Sequence, residues 1–161
     1  MEYRDLYDEN RQLTDKKILK DEEVPKGYFY TTVVIMIQDS RHLFLLQINK
    51  KFNKWSITGG HPKSGESSIQ GAITELKEEL GYDCKEESLQ LIKTYKTDDD
   101  FVDLYYLADD VSIDYSKMQV DEVASIRYYT KEEIDLLIDK NMFLENHIEF
   151  YKDTIKYLEE K

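Results

Sequence analysis

Four glutamates fall within one short stretch, residues 60–82, which reads GHPKSGESSIQGAITELKEELGY. They are Glu66, Glu75, Glu78 and Glu79. In a helix, residues three and four apart are neighbours, so the last three of these glutamates share one face. Their like charges repel by about 0.2–0.5 kcal/mol per pair, and Lys77, the basic residue within the same helix, points away from them. Hard divalent cations favour carboxylate oxygens, so the spacing indicates metal-assisted chemistry on a phosphate ester or anhydride.

The same spacing also fits a solvated acidic helix face that binds nothing. The segment Thr58-Gly59-Gly60 before the stretch favours a ligand, because glycines permit a tight turn and a close approach of the backbone. Both interpretations require a helix at this place, with the glutamates roughly opposite Ile73 and Leu76.

The signals for that helix lie at both of its ends and along one face. Ser67 and Gln70 have the spacing of a capping box, and Gly81 stands where a C-terminal cap is expected. Apolar residues recur at steps of four, three and four, the period of one buried helix face, and they are Ile69, Ile73, Leu76 and Leu80. The pattern predicts a helix that ends at Gly81.

The rest of the chain mixes strand and helix patterns without strict alternation. Runs rich in β-branched and aromatic residues predict strands at 28–38, 42–49, 89–96, 101–108 and 123–129. Thr130 and Glu133 form a second capping box, which predicts a helix to about residue 139, and a last helix is expected from about 144 to 158. We therefore expect one α/β (α+β) domain over residues 1–161, an α/β/α sandwich with a mixed sheet. Residues 1–26 are an N-terminal extension with a short hairpin, and 140–161 hold the C-terminal helix.

Composition limits the classes of partner. The chain has 161 residues and a formal net charge of -12, so nucleic-acid binding is not expected and a phosphorylated substrate needs cations beside it. A single cysteine, Cys84, excludes an intramolecular disulfide. An acidic, polar start and the lack of an apolar run of about 20 residues predict a cytoplasmic protein with no membrane partner.

The stretch 60–82 resembles the Nudix box, whose pattern is Gly, five residues, Glu, seven residues, then Arg-Glu-apolar-any-Glu-Glu-any-Gly-apolar. The matching positions here are Gly60, Glu66, Glu75, Leu76, Glu78, Glu79 and Gly81. The resemblance implies a Nudix-type fold and a Mg²⁺- or Mn²⁺-dependent hydrolase that cleaves a diphosphate linkage in a small molecule, such as a nucleoside diphosphate derivative. Whether such a protein forms a homodimer stays open.

The resemblance also implies roles for single residues. The metal ligands would be Glu78, Glu79, Glu75 and the backbone carbonyl of Gly60, while Glu66 would support the loop. The catalytic residues would be Glu79, Glu75 and Glu122, the last of which precedes a late strand where many family members carry a further glutamate. It is equally a surface charge at a loop end.

Residues outside the box are candidates for substrate binding on simpler grounds. They are Trp55, Lys54, His61 and Tyr30, which lie beside the box or on the first long strand. Aromatic residues more often pack in a core, and histidines and lysines in loops are more often simply exposed.

Two positions depart from the box pattern. Tyr82 replaces an aliphatic residue, and its ring can still pack. Thr74 stands where the family has an arginine that pairs with and orients the box carboxylates, and threonine carries no charge for that role. The departure predicts looser carboxylates and either reduced activity or a stronger metal requirement.

A looser resemblance over residues 3–130 connects the chain to Nudix proteins that are similar to isopentenyl-diphosphate isomerase. That enzyme needs a catalytic cysteine and histidine metal ligands, yet Cys84 follows the box helix and the first long strand has no histidine. The main alternative is a non-catalytic sensor that keeps the fold and binds a nucleotide. The departure at Thr74 supports a sensor, whereas the intact Glu75, Glu78 and Glu79 argue against it because a pure binder has little need for clustered like charges.

Overall fold

A computed structural model describes residues 2–113 and 123–161. Its strands, in chain order, are β1 (Tyr3–Tyr7), β2 (Leu13–Leu19), β3 (Tyr30–Gln38), β4 (Phe44–Asn49), β5 (Lys54–Ser56), β6 (Thr58–Gly60), β7 (Leu89–Lys96), β8 (Asp100–Ala108) and β9 (Val123–Tyr129). Its helices are α1 (Ser68–Leu80), α2 (Lys131–Asp139) and α3 (Ile148–Glu159), with short 3-10 turns at Glu86–Ser88 and Glu145–His147. Within the described residues no helix combines the length and the apolar character needed to cross a membrane.

The predicted strands and helices are present, with ends shifted by a few residues. The last helix begins at Ile148 rather than near 144, because the 3-10 turn Glu145–His147 precedes it. Sequence patterns missed β5 and β6. Each has only three residues, too few for a period of two to be recognised.

The main sheet is mixed, as expected. Its order is β5-β4-β3-β8-β7, with β6 paired to β3 and β9 paired to β4. The central pair, β3 and β8, is parallel from Tyr30↔Asp100 to Gln38↔Ala108, while β7 and β8 are antiparallel. Consecutive residues of β3 are buried, so both faces of this strand are covered, which explains its continuous apolar run.

Helices cover the two faces of this sheet, which confirms the sandwich. Alternate residues of a strand point to opposite faces. Val33 and Ile35 belong to a cluster with Leu76 and Leu80 of α1. Neighbouring residues of β3 belong to the cluster on the other face, which includes residues from α2, α3 and the segment between them, namely Val34, Met36, Ile134, Phe143 and Tyr151.

The N-terminal extension forms the expected hairpin, and this hairpin holds the loop that leads into α1. Strands β1 and β2 pair antiparallel. Asp5 accepts hydrogen bonds from Ser64 Oγ at 2.6 Å and from the Gly65 amide at 2.9 Å, and the Ser64 amide donates to the Tyr3 carbonyl at 2.7 Å. Gly65 has a φ of 90°, a left-handed conformation that favours glycine.

A partly buried ion pair fixes the tip of the hairpin and the start of α1 to the same strand. Arg11 donates to both carboxylate oxygens of Asp103, at 2.9 and 2.6 Å, and Ser68 at the first position of α1 donates to the same carboxylate at 2.5 Å. Burial acts to raise the pKa of Asp103, but hydrogen bonds from Arg11 and neighbouring hydroxyls outweigh it and hold this pKa below its usual range. The start of the glutamate-bearing helix is therefore anchored on β8.

Candidate active site

Helix α1 is positioned by its caps and by its apolar face. The Gln70 amide donates to Ser67 Oγ at 3.2 Å and the Ser67 amide donates to Gln70 Oε1 at 2.9 Å, so the predicted capping box is formed. Gly81 ends the helix with a φ of 67°. Between the caps the fully buried aliphatic side chains are Ala72, Leu76 and Leu80. These contacts hold the helix against β3 and β6.

Glu75 lies directly against the backbone of Gly60. A Cβ placed on Gly60 would be 2.1 Å from Glu75 Cδ and 2.4 and 2.5 Å from its two carboxylate oxygens. A side chain at position 60 would therefore force the Glu75 carboxylate to move from its present place. The glycine that opens the sequence motif and the first glutamate of its helix are thus adjacent in space.

Glu79 is buried, which corrects the expected arrangement of the helix. The three glutamates were expected on a face away from Leu76, but Glu79 is only 3% exposed and lies one turn from that buried leucine. Gln47 donates from Nε2 to Glu79 Oε2 at 3.4 Å, and Thr58 Oγ1 donates to Gln47 Oε1 at 3.2 Å. The threonine fixes the orientation of the Gln47 amide, so that its N–H group faces the carboxylate.

Glu78 has a cationic neighbour that does not come from its own helix. Lys63, in the loop before α1, donates from Nζ to Glu78 Oε1, and this hydrogen bond raises the pKa of Lys63. The loop lysine supplies the compensating charge that Lys77 cannot supply, since Lys77 pairs with Asp83 instead.

The donor chemistry of this cluster fits a hard divalent cation. Glu75, Glu78 and Glu79 offer carboxylate oxygens, the ligands that Mg²⁺ prefers. In residues 2–113 and 123–161 no three acidic, histidine or cysteine side chains stand together as a preformed metal cage. Glu78 is engaged by Lys63, so an ion would have to take the place of the lysine at this carboxylate.

Thr74 contacts the remaining glutamate of the motif. Its Oγ1 donates to Glu66 Oε2 at 2.6 Å, and the Lys63 amide donates to Glu66 Oε1 at 2.7 Å. Both carboxylate oxygens of Glu66 therefore have a partner. One of the two donors is the hydroxyl of Thr74, the residue that stands where the family pattern has an arginine. The looser carboxylates expected from this departure stay a prediction.

Replacing Thr74 with valine should lower the free energy of unfolding by about 1 kcal/mol, because an isosteric methyl group leaves one oxygen of the partly buried Glu66 carboxylate without its donor. Thermal melting of Thr74→Val and Thr74→Ser measures the effect. The serine variant keeps the hydroxyl and should melt close to the wild type. A valine variant as stable as the serine variant would show that this hydrogen bond has no structural role.

A cleft of about 150 Å³ borders the glutamate cluster. Its lining includes Gly60 and His61 from the motif, Gln47 and Glu79 from the buried pair, and two side chains from elsewhere in the chain, Phe52 and His147. The cleft therefore joins the buried carboxylate of α1 to open space, which is the arrangement that a hydrolytic site requires.

Two of the predicted substrate-binding residues lie beside this cleft. His61 lines it, and its Nδ1 lies 3.3 Å from both Thr32 Oγ1 and the Thr31 carbonyl oxygen. The ring of Tyr30 packs edge to face against the imidazole, with 5.1 Å between the centroids. The structure brings these two candidates together.

The other predicted residues lie elsewhere. Trp55 is 7% exposed and packs in the core against Tyr129, 5.0 Å between centroids. Lys54 donates to Asn141 Oδ1 at 3.0 Å on the exposed surface. Glu122 falls outside the described residues, so its predicted catalytic role stays a prediction.

Sequence reasoning missed three residues of the site, Gln47, Lys63 and His147. Gln47 offered one signal, an amide side chain between the apolar residues Leu46 and Ile48 of β4. Lys63 and His147 offered none. Their contacts are with Glu78 and with the Ile57 amide, and no local sequence pattern connects these pairs.

Known proteins resemble this chain in sequence and in fold. A family model described as the NUDIX domain matches residues 28–153. An uncharacterized Nudix hydrolase of Listeria innocua is 31% identical over 150 residues, which cover 89% of each chain. An isopentenyl-diphosphate Delta-isomerase of Pectobacterium atrosepticum is 31% identical over 139 residues, 80% of this chain and 76% of that protein. The crystal structure of DR0079 from Deinococcus radiodurans superposes with a TM-score of 0.76 at 18% identity, covering 94% of this chain and 97% of the other.

Proposed function

This chain belongs to the Nudix hydrolase family, and from that premise we propose that it hydrolyses the diphosphate linkage of a nucleoside diphosphate derivative with the help of Mg²⁺ or Mn²⁺. The family typically cleaves such linkages in small molecules. The observation that carries the proposal is that one helix presents two glutamates at this site: Glu75, which lies against Gly60, and Glu79, which is buried and lines the cleft.

In this proposal the carboxylates of α1 bind the cation. Glu75, Glu78, Glu79 and the Gly60 carbonyl would hold the cation, with Lys63 released from Glu78 when the ion binds. A divalent ion at this place would supply charge neutralisation for the diphosphate and Lewis acidity. Lys63 would then be free to face a substrate phosphate from the loop.

Glu79 is the proposed general base. Water attacks one phosphorus, the bond from that phosphorus to the bridging oxygen breaks, and Glu79 accepts the water proton. Its burial beside the Gln47 amide fixes the direction of the carboxylate. The products are two phosphate compounds, or one phosphate compound and orthophosphate. Glu122 is the alternative base.

His61 and Tyr30 are the proposed contacts to the substrate, because both lie at or beside the cleft. Trp55 and Lys54 are not carried into the proposal, since one packs in the core and the other binds Asn141 on the surface.

Isomerase chemistry, as in the relative from Pectobacterium atrosepticum, has less support. Cys84 packs against the α1 side of the sheet, and its Sγ donates to the Lys85 carbonyl. Burial raises the pKa of Cys84 to about 11, which keeps the thiol protonated near neutral pH. The residue does not line the cleft. Nothing at the cleft among the described residues thus replaces the cysteine which that isomerisation needs.

The test of the proposal is phosphate release from a panel of nucleoside diphosphate derivatives, with Mg²⁺, with Mn²⁺ and with a chelator. The expected result is release that requires the metal. If no compound is cleaved while nucleotides bind tightly in the presence of metal, the protein is a sensor instead.

A further inference from the structure

Backbone hydrogen bonds of residues 142–144, the segment before His147, position this histidine at the cleft. The Trp55 amide donates to the Met142 carbonyl at 3.0 Å, and the Leu144 amide donates to the Trp55 carbonyl at 2.8 Å. These two hydrogen bonds lay the segment along β5. The next turn then places the imidazole beside Ile57, where it lines the cleft together with Gly60 and Glu79.

A single hydrogen bond determines which ring nitrogen of His147 carries the proton. The Ile57 amide donates to His147 Nδ1 at 3.0 Å. An acceptor nitrogen carries no proton, so the neutral ring must carry its proton on Nε2. Burial lowers the pKa of His147 to about 4, so the ring stays neutral and keeps this tautomer near neutral pH.

The Nε2–H group donates no hydrogen bond to any residue in the described part of the chain. Among residues 2–113 and 123–161 the imidazole makes one side-chain hydrogen bond, through Nδ1, and its other ring contact is with Phe150 at 5.5 Å between centroids. His147 is only partly buried, and Nε2 is not among the sealed, unpaired polar atoms of the protein. A fixed donor that has no protein partner and borders an open cleft can satisfy itself only with water or a ligand.

We propose that His147 is a substrate-binding residue, whose Nε2–H donates to a phosphoryl oxygen of the diphosphate held at the glutamate cluster. The inference rests on the proposed hydrolase activity and deepens it, since it assigns a contact to the C-terminal part of the chain.

Two substitutions separate this role from a purely structural one. Asparagine at position 147 can still accept the Ile57 amide near the position of Nδ1, but it removes the donor at the position of Nε2. Glutamine reaches the position of Nε2 with an amide N–H, but it gives up the bond to Ile57. If His147 binds substrate, His147→Asn raises KM about tenfold to a hundredfold with little change in kcat or melting temperature, because a hydrogen bond to a charged oxygen is lost. His147→Gln should melt at a lower temperature and keep a KM nearer that of the wild type.

If the residue only anchors Ile57, the order is reversed, with His147→Asn silent and His147→Gln impaired. That order would overturn the inference. The kinetics use the compound that the wild type cleaves fastest, so a wild type that cleaves nothing contradicts the proposed hydrolase rather than this contact.

A binding measurement tests the contact without turnover. Nitrogen NMR of histidine-labelled protein, with saturating methylenediphosphonate and Mg²⁺, should shift the Nε2 signal of His147, which is identified by its loss in His147→Asn. The chain has three histidines, so assignment is direct. An unchanged Nε2 signal at saturation would overturn the inference.

Discussion

Glu79→Gln is expected to lower kcat by about 10²–10⁴-fold, the usual contribution of a general base. The amide has the shape of the carboxylate but cannot accept the water proton and carries no charge for a cation. Its Oε1 can still accept the Gln47 amide, so the buried position should tolerate the change.

The matched control is Glu87→Gln, the same substitution at an exposed glutamate of a 3-10 turn. This control should keep the activity of the wild type, and both variants should melt near the wild-type temperature. If Glu79→Gln retains activity within tenfold of the wild type, the base lies elsewhere and Glu122 becomes the leading candidate.

Gly60→Ala should reduce turnover about a hundredfold and weaken the binding of Mg²⁺. The added methyl group would overlap the Glu75 carboxylate, 2.1 Å from its Cδ, so the side chain must move away from the backbone at Gly60. A displacement of about 1 Å in a catalytic group is enough for a loss of this size. Steady-state kinetics and a Mg²⁺ titration followed by calorimetry measure the two effects.

Gly27→Ala separates this effect from a general loss of stability. Gly27 has a φ of 86° and open space around its Cα, so alanine there strains the backbone without touching the site. That variant should lose about 1 kcal/mol of stability and keep its kcat. Full activity and full Mg²⁺ affinity in Gly60→Ala would mean that Glu75 does not act at the backbone of Gly60.

Local signals predicted much of this fold because they act over a few residues. The capping boxes that begin at Ser67 and Thr130 are formed, and Gly81 adopts the left-handed cap. The run of β-branched and aromatic residues at 28–38 predicted a strand, and β3 occupies this place. The three-residue strands β5 and β6 were missed because each is too short to show a period of two, even though β5 pairs with the neighbouring β4.

The glutamates of the site could be named from the sequence, but their environments could not. Spacing along α1 places Glu75, Glu78 and Glu79 near each other, yet whether each one is buried depends on what the sheet presents to the helix. Gln47 reaches Glu79 from β4, and Ile57 holds His147 across 90 residues. Such tertiary contacts follow no periodicity within either segment.

The most direct test of the central claim is the reaction of each compound in the panel of nucleoside diphosphate derivatives with Mg²⁺ in ¹⁸O-labelled water, with mass spectrometry of every phosphate-containing product. Metal-assisted hydrolysis predicts that the diphosphate is split and that a single ¹⁸O atom enters one of the products, with no reaction when a chelator removes the metal. Recovery of the intact diphosphate without label, either unchanged or rearranged, would contradict the assignment of this site as a hydrolase.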